Sequence, residues 1–551
     1  MNKFLLIHNN KTKIDVKHVS SMYSLDLEKS ENAANVVNSN IDQYISEEVI
    51  KEIAQKEFDI LFIKDNLSSN YMDFYGLILA YHIRLSEELG KKRFVPIIIL
   101  SDINSLIINK LTPHGRILFT KDVYLAKNDE SVIADYTSAL TQNKLNEDNF
   151  KTDFLDSIEI EKPMDYLSNH SISNEWSMYR WADFLEVSTA NIKKIKENIS
   201  SMLYFKYLKN LYPAEKDSDF KVKNVINNSG KVLYIDDEWD KGWNEILKEF
   251  FIKSTNINYI CIEEKFKDKE VATILTFLEE EISKNDPDVI ILDMRLHDRD
   301  FKDSGEELTG IKLLKKINLI NKGIQVVAFT ASQDSLILED LFEEGIVGYI
   351  KKEHPENHML STAKNVKKLK KLIEKALNNK ELKDIYVIKN KINDTNDKNL
   401  NTNIDSVFDI LKHNIPNKNI YAMFAIFKCL EILKEKYIKN KNTFISDNSA
   451  IKILKPNQYG VYIPQVFRSG TDNTFYISTC NQIHNTAFIS LDVKDKLVHD
   501  AICEISFCRN NYVHGKSSDK YPCTLIENPT LKDLLRWMNM LEIIITKYKQ
   551  L

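Results

Sequence analysis

The segments KVLYIDDE at 231–238 and DVIILDMRL at 288–296 each place acidic side chains directly after a short apolar run. Apolar runs of strand length, bounded by polar residues, predict buried strands. Two further runs, at 324–329 and 345–350, follow after helix-length segments, so this region alternates strand and helix. Such alternation predicts a parallel sheet with crossover helices, which binds ligands where its strands end. We therefore expect the chemistry of this region in the residues that follow each strand.

Polar residues that can act together follow four of these predicted strands. In chain order they are Asp236, Asp237, Asp293, Thr330, Lys351 and Lys352. Clustered carboxylates repel one another unless a hard cation lies among them, and Mg²⁺ prefers oxygen ligands. The metal offsets the charge of an incoming phosphoryl group, and one carboxylate can act as the nucleophile. A hydroxyl and an ammonium that contact the attached group give two states with different contacts, as a switch requires.

These segments, in this order, resemble the receiver domain of bacterial response regulators over residues 229–378. Carried over by position, the resemblance implies that Asp293 accepts a phosphoryl group. It implies that Asp236 and Asp237 hold Mg²⁺, and that Arg295 gives a backbone carbonyl to the metal. It also implies a partner histidine kinase as the phosphoryl donor.

The same resemblance assigns the residues of the switch. Thr330 is the switch hydroxyl, Tyr349 the switch aromatic residue and Lys352 the phosphate-binding lysine, with Lys351 as the competing choice. Two departures from the family pattern stand out. Glu353 replaces the proline that usually follows the lysine, and the loop HDRDFKDSGEELTG after the phosphoacceptor is longer and more charged than usual. Because of this loop, the family resemblance does not fix how tightly this receiver binds the metal or which partner it takes.

Residues 1–150 resemble the same fold with the chemistry removed. The strands expected there are Lys3–His8, Phe58–Ile63, Pro96–Leu100 and Arg116–Phe119. The first strand ends in His8-Asn9-Asn10, which offers no acidic pair, and Lys64 stands at the acceptor position with Asp65 after it. Ser101 and Lys121 follow the later strands. We interpret this region as a pseudo-receiver that does not accept phosphate and serves dimerisation or partner binding, with an unrelated α/β domain as the alternative.

Residues 151–228 read as a helical connector. His170 is followed by the acid Glu175, and a histidine near an acid on a helix would suit phosphotransfer. Trp176, Tyr179 and Trp181 recur at helical spacing and indicate a packing face instead. A structural coupling helix is the preferred interpretation.

The C-terminal region carries the segment CRNNYVHG at 508–515, which closes a predicted helix. An Arg, an adjacent Asn and a His five residues after the Arg resemble the Rx4H motif of HEPN domains, helical bundles found in many prokaryotic ribonucleases. The resemblance implies metal-independent RNA cleavage through the 2′-hydroxyl. His514 would be the general acid or base, Arg509 would stabilise the phosphorane and Asn510 would orient the histidine. The family's site is commonly shared between two subunits, which implies a homodimer.

Two other interpretations of this motif stay open. Arg509 and His514 can act as cations that stabilise the exposed carbonyls at a helix C-terminus. Alternatively, the domain has the HEPN fold and binds without cutting. A regulator of that kind would recruit a protein partner, and it is the alternative to a ribonuclease output. A DNA-binding output is disfavoured, because the region has no basic recognition helix.

Length and composition set the outer limits of this interpretation. At 551 residues the chain is too long for one core, and 43% hydrophobic with 28% charged residues is typical of soluble globular proteins. The net charge of −5 argues against a global nucleic-acid-binding or membrane-surface field but leaves a local basic patch open, and no apolar run is long enough to cross a membrane. Six cysteines without a CxxC pair predict buried thiols in a reducing cytoplasm.

The predicted architecture is therefore two α/β flavodoxin-like doubly wound sheets and an all-α, HEPN-like bundle. The predicted division is pseudo-receiver 1–150, helical connector 151–228, receiver 229–378, linker 379–403 and effector 404–551. The predicted function is that of a cytoplasmic response regulator with Mg²⁺ in its receiver and RNA as the substrate of its effector. A stress or antiphage role is suggested only by the company that HEPN domains keep.

Overall fold

The structure is a computed structural model that describes part of the chain's residues. These are 3–9, 21–25, 27, 41–70, 72–127, 144–162, 169–215, 224–266, 268–301, 307–331, 341–342, 344–355, 361–393, 395–412, 415–437, 451–456, 462–467, 479–515 and 525–550. The chain forms two compact units. The first comprises residues 1–224, 240–252 and 351–367, and the second comprises residues 225–239, 253–350 and 368–551.

A parallel five-stranded sheet lies at the centre of the first unit. Its strands are β1 (Phe4–His8), β2 (Ser21–Ser24), β3 (Ile60–Lys64), β4 (Ile97–Leu100) and β5 (Val123–Ala126). Their order in the sheet is β2-β1-β3-β4-β5, and each neighbouring pair is parallel. This 2-1-3-4-5 order is that of the flavodoxin-like doubly wound fold. The α/β fold predicted for this region is confirmed.

Short helices connect these strands. They are α1 (Ile41–Tyr44), continued by a π turn at Ile45–Val49 into α2 (Ile50–Gln55), then α3 (Tyr75–Leu85), α4 (Ser105–Leu111) and α5 (Phe150–Asp153). Tight 3₁₀ turns lie at Glu87–Phe94, Pro113–Phe119 and Leu155–Ser157. Buried aliphatic and aromatic side chains of these helices and the sheet form one core.

The strand predicted at Arg116–Phe119 is wrong, because these residues belong to a 3₁₀ helix. Pro113 at its start fixes a helical φ, and the Thr112 side chain caps it by accepting a hydrogen bond from the His114 backbone N–H. The fifth strand follows later, as β5. Lys121 therefore precedes β5 instead of following it, and its Nζ lies 2.7 Å from Asp153 Oδ2.

The first unit also contains helices α6 (Asn169–Phe184), α7 (Ala190–Ser201), α8 (Leu203–Leu211) and α9 (Trp243–Phe251). Trp176 of α6 stacks on Phe205 of α8, with ring centroids 6.2 Å apart. Trp181 meets Trp243 of α9 edge to face at 5.8 Å. The aromatic spacing along α6 is therefore a packing face, as predicted. The side chain of His170, also on α6, lies outside the described residues.

A buried polar network fixes α8 to the first sheet's helices. Asp42 accepts hydrogen bonds from His82 Nε2 at 3.0 Å and from the Leu203 backbone N–H at 2.9 Å. Lys206 Nζ lies 3.3 Å from His82 Nδ1 and donates to Ser86 Oγ at 2.8 Å. Burial lowers the pKa of the Lys206 ammonium to about 8. Because unpaired buried polar groups are costly, this network specifies one docking geometry.

The second unit contains another five-stranded sheet. Its strands are β6 (Gly230–Ile235), β7 (Ile257–Cys261), β8 (Val289–Leu292), β9 (Gln325–Thr330) and β10 (Gly348–Lys351), in the order β10-β9-β8-β6-β7. The order is again 2-1-3-4-5, which confirms the second predicted flavodoxin-like sheet. Its connecting helices include α10 (Val271–Asn285), α11 (Thr309–Ile320) and α12 (Thr362–Asn378).

The C-terminal part of the second unit is a helical bundle with a small β-hairpin. Its helices are α13 (Glu381–Ile392), α14 (Lys398–Lys412), α15 (Lys418–Tyr437), α16 (Thr479–Asn485), α17 (Lys496–His514) and α18 (Leu531–Gln550). Strands β11 (Ile451–Pro456) and β12 (Tyr462–Phe467) pair in antiparallel fashion. The predicted helical region is present, but the all-α description is wrong because of this hairpin.

The linker predicted at 379–403 is also wrong over most of its length, because α13 and the first turns of α14 lie there. Leu382, Ile385, Ile388 and Ile392 recur at helical spacing and are buried in the bundle core. Polar residues on the outer face hide this pattern when the segment is judged by its average composition.

Helix α13 is also anchored to the second sheet's end. A side chain at Gly323 would come within 2.4 Å of the Leu382 backbone, so the two segments touch directly. Lys383 Nζ lies 3.1 Å from Asp286 Oδ2 and 3.2 Å from Asp288 Oδ1. One helix therefore joins the sheet domain to the bundle core. In the described part of the chain, no helix is long and apolar enough to span a membrane.

Candidate functional site

Three carboxylates converge at the C-terminal edge of the second sheet. Strands β6 and β8 are parallel neighbours with Ile235 opposite Leu292, so the residues that follow them meet at one place. One oxygen each of Asp236, Asp237 and Asp293 lies within 4.8 Å of the others, close enough to share a metal ion. Asp236 and Asp293 are fully buried. The structure thus brings together the acidic residues that the sequence singled out.

Asp236 is held by two hydrogen bonds. Tyr234 Oη donates to Asp236 Oδ2 at 2.6 Å, and the Glu238 backbone N–H donates to Oδ1 at 2.7 Å. Burial and the neighbouring carboxylate raise the pKa of the Tyr234 phenol well above its usual value, so it stays a donor. Tyr234 is a site residue that was not predicted from the sequence. Its position two residues before Asp236 on a strand was the available signal, since such residues share a sheet face.

Asp293 is oriented by its own loop. Its Oδ1 accepts hydrogen bonds from the Met294 N–H at 2.6 Å and from the Arg295 N–H at 3.4 Å. Gly310, at the start of α11, lies so near that a side chain there would come within 2.5 Å of the Asp293 carbonyl oxygen. Helix α11 therefore packs directly against the loop that begins at Asp293. That the Arg295 carbonyl binds the metal stays a prediction.

The charged loop after Asp293 is organised by a second buried acid. Asp300 accepts hydrogen bonds from the backbone N–H groups of Leu296, His297 and Thr309, at 2.9, 3.1 and 3.0 Å. It also accepts one from the Thr309 hydroxyl at 2.9 Å. The role of Asp300 in organising the loop was not predicted, because the loop is polar throughout and nothing in it distinguishes one acid from another. Asp300 ties both ends of the described loop together beside the phosphoacceptor.

The donor set fits a hard divalent cation. Only carboxylate oxygens make up the cluster, and an all-oxygen set suits Mg²⁺ better than metals that prefer sulfur or imidazole. Two of the three carboxylates are withdrawn from water, where mutual repulsion is least screened. A bound cation removes that repulsion, so these residues are the ones that would hold it.

The two switch residues lie on the neighbouring strands. Thr330 is the last residue of β9 and is fully buried. Tyr349 lies within β10, half-buried, with Lys368 Nζ 4.2 Å from its ring centroid and the Phe342 ring at 5.9 Å. Their roles as switch hydroxyl and switch aromatic residue stay predictions.

Lys352 follows β10 directly. Its side chain is buried, and its Nζ lies 5.4 Å from the centroid of the Trp243 ring. Lys351, the competing choice, is only partly buried, and burial lowers its pKa. That Lys352 is the phosphate-binding lysine stays a prediction.

Glu353, which stands where the family has proline, is buried and contacts the connector helix. Its carboxylate accepts a hydrogen bond from Thr362 Oγ1 at 2.8 Å and lies 3.5 Å from Arg180 Nε. Its backbone carbonyl accepts a hydrogen bond from Ser177 Oγ at 3.0 Å. The departure from the family pattern is thus explained, because the acid ties the segment after β10 to α6.

Burial raises the pKa of the Glu353 carboxyl to about 7, against the opposing effects of Thr362 and Arg180. The folded protein then keeps a proton that the unfolded chain, with an ordinary pKa near 4.5, releases. The stability from this group is full below pH 4.5 and is lost as the pH rises through 7. We expect wild type to lose about 3 kcal/mol more than Glu353→Gln between pH 4.5 and 8, measured by urea unfolding.

The matched control is Glu215→Gln, which removes the more exposed acid, 3.7 Å from Arg180. This variant should keep the wild-type slope of stability against pH. Equal slopes for wild type and Glu353→Gln would contradict the assignment.

The first sheet shows what replaces the acidic cluster. Ile7 lies opposite Ile63 there, as Ile235 lies opposite Leu292 in the second sheet. The next residue after Ile63 is Lys64, so a lysine occupies the acceptor position by register. By the same register, Asp236 and Asp237 are replaced by His8, the last residue of β1, and Asn9, which supply no acidic pair.

Asp65 lies one position beyond the acceptor position and is locked by a hydrogen bond from the Ser101 hydroxyl. By strand register, Ser101 corresponds to Thr330 of the second sheet, since each directly follows the residue paired with the acceptor position. Burial raises the pKa of Asp65. This carboxylate is engaged internally, which agrees with a site that does not take up phosphate.

The Rx4H residues lie in the last two turns of α17. Arg509 is half-buried, with its guanidinium 5.3 Å from the Phe427 ring and donating to Asn510 Oδ1 at 3.1 Å. His514 is the last helical residue and is exposed, with Gly515 as a left-handed cap. One chain therefore supplies a supported Arg-Asn pair and a solvent-accessible imidazole.

Two other histidines of the bundle do not suit acid–base chemistry. His484 and His499 are buried, with their Nδ1 atoms 2.8 Å apart. Burial lowers the pKa of each to about 4, so both are neutral near pH 7. We interpret them as a structural pair.

Comparison with known proteins supports both sheet domains. Residues 10–126 match the family model of the inactive receiver domain, and residues 252–364 match that of the response regulator receiver domain. Among solved structures, a two-component system response regulator/GGDEF domain protein matches at 9% identity and a TM-score of 0.17. The match covers 68% of this chain and 99% of that chain, and carries no argument at this TM-score. No curated protein matches the sequence.

The chain thus contains an inactive receiver domain and a response regulator receiver domain. Receiver domains indicate a response regulator in phosphorelay signalling, and they imply a histidine kinase partner.

Proposed function

We propose that the protein is a response regulator in which phosphorylation of Asp293 controls an RNA-cleaving helical bundle. The convergence of the Asp236, Asp237 and Asp293 carboxylates within 4.8 Å carries the first half of this proposal. The Rx4H motif at the end of α17 supports the second half.

In the phosphorylation step, an Asp293 oxygen attacks the phosphorus of a phosphohistidine donor. The new O–P bond forms as the N–P bond to the donor imidazole breaks. Asp236, Asp237 and Asp293 would hold Mg²⁺, which would offset the charge of the transferred group. Thr330 and Lys352 are proposed to contact the attached phosphoryl oxygens, so the two states differ in their contacts.

In the proposed output step, a 2′-hydroxyl of RNA attacks the adjacent phosphorus and the 5′-oxygen leaves. His514 moves the proton, because imidazole titrates near neutral pH. Arg509 stabilises the charge that builds up on the phosphorane, with its guanidinium braced by Asn510 and Phe427. A composite site formed by two chains is proposed from the family resemblance, and homodimerisation would then be the control step.

We also propose a domain division of 1–150, 151–228 and 229–378, with 379–551 as the effector. Residues 379–403 are assigned to the effector because α13 contributes to its core.

The experiment is RNA cleavage by the wild-type protein with and without beryllofluoride and Mg²⁺, which mimic the phosphorylated state. We expect the cleavage rate to change at least about fivefold between the two states, because the coupling free energy of such a switch is about 1 kcal/mol or more. The control is Asp293→Asn, whose rate should be the same with and without beryllofluoride. A wild-type rate that is equal in both states would contradict the proposed control.

The second candidate is a non-catalytic regulator that recruits a protein. Large apolar side chains of the bundle are exposed near α17: Ile489 at 52%, Leu497 at 73% and Val513 at 50%. Exposed apolar side chains of this kind can contribute to contacts with a protein partner. Absence of RNA cleavage in both states, with phosphorylation intact, would favour this candidate.

A further inference from the structure

We propose that a lysine-rich cleft in the second unit binds a small, multiply phosphorylated anion. This cleft lies between the receiver's α11 and α12 and the bundle's α13, α14 and α15. It is separate from the carboxylate cluster and from the Rx4H residues, and the proposal does not depend on RNA cleavage.

The cleft has the size of a ligand site. It encloses about 880 Å³, within the range of small-molecule pockets. Phe342, Tyr386 and Leu382 provide apolar wall, and Asn379 adds a polar amide. Such a lining suits a ligand with both an apolar part and a charged part.

The charged side chains that line the cleft are mostly positive. Five lysines line it, two from α11 and the turn after it, one from α12, and one each from the end of α14 and the start of α15: Lys315, Lys322, Lys375, Lys412 and Lys418. Glu344 is the one carboxylate among the described lining residues, and it already accepts a hydrogen bond from Asn318 Nδ2 at 3.0 Å. An anionic ligand is the natural complement of this surface.

Lysines on the same helix outside the cleft behave differently. Lys312 Nζ lies 2.7 Å from Glu307, and Lys316 Nζ lies 2.6 Å from Glu279. Within the described part of the chain, Lys375 and Lys418 of the cleft have no such acidic partner. Lys375 and Lys418 therefore keep their charge available for a ligand.

Two of these lysines, Lys375 and Lys418, lie close enough for their charges to interact. Burial lowers the pKa of Lys418, and the charge of Lys375 lowers it further. Like charges held together in a partly desolvated place repel, and phosphate oxygens between them would turn that repulsion into attraction. Because Lys375 belongs to the receiver and Lys418 to the bundle, a ligand there would also hold the two together.

The test is isothermal titration of the full chain with inorganic tripolyphosphate and with ATP, in Mg²⁺-free buffer with a chelator. Without metal, the carboxylate cluster repels anions and does not compete. We expect saturable binding of ATP to wild type, and binding weakened at least about tenfold in Lys375→Glu/Lys418→Glu. Lys532→Glu, an exposed bundle lysine outside the cleft, should bind like wild type.

A second variant guards against misfolding of the double variant. Lys412→Gln removes one exposed charge and should weaken ATP binding a few-fold with an unchanged melting temperature. No saturable binding of either probe to wild type would overturn the proposal. Equal affinity in wild type and a folded double variant would place the site elsewhere and overturn it too.

Discussion

Substitution of Asp293 by Asn is expected to abolish phosphoryl uptake from acetyl phosphate completely. The carboxylate oxygen is the nucleophile, and an amide neither attacks phosphorus at a useful rate nor holds Mg²⁺ as a charged ligand. The buried position and the hydrogen bonds from the Met294 and Arg295 N–H groups place that oxygen in the cluster. Phosphate-affinity gel electrophoresis and intact mass measure the uptake.

The matched control is Asp65→Asn in the inactive receiver domain. Asp65 lies beside the acceptor position, but it is locked to Ser101, and Lys64 occupies the acceptor position. This variant should be phosphorylated like wild type. Label that persists in Asp293→Asn, or disappears in Asp65→Asn, would contradict the assignment of one phosphoacceptor.

Substitution of His514 by Ala is expected to lower the rate of RNA cleavage by about 100-fold or more, the usual contribution of a positioned general acid or base. His514 is exposed at the end of α17, so its loss should not disturb the bundle core. Single-turnover cleavage of a labelled RNA, together with the melting temperature, separates chemistry from folding.

Two further variants test whether the loss of cleavage is specific to the proposed catalytic residues. Asn511→Ala changes one of the residues between Arg509 and His514 that has no proposed catalytic role, and it should cleave like wild type. Arg509→Lys keeps the charge but loses the forked geometry, so it should cleave slowly. Cleavage by His514→Ala at the wild-type rate would exclude the motif as the site.

The carboxylate cluster could be predicted from the sequence because its geometry follows from local signals. Each strand is a short apolar run, and parallel pairing brings the residues after Ile235 and Leu292 to one edge. The sheet order repeats the same arrangement in both domains. Locating the end of each strand was enough to predict which carboxylates meet in the cluster.

The parts that could not be predicted depend on distant or averaged information. Arg116–Phe119 has the composition of a strand, but Pro113 and the Thr112 cap turn it into a helix. The segment 379–403 is polar on average, although Ile385 and its neighbours recur at helical spacing. Glu353 contacts Arg180, which lies far away in the sequence, and no local sequence pattern predicts such a pair.

Helix α13 sets a limit on how this protein can be rearranged. Its Leu382 touches the receiver at Gly323, and its Ile385 and Ile392 belong to the bundle core. A chimera that joins the effector to a foreign receiver at residue 404 would leave a hole in the bundle where α13 packs. The bundle and α13 therefore have to be transferred together. A chimera should be joined before residue 379, and the new receiver should have a glycine at the position of Gly323, where the Leu382 backbone packs.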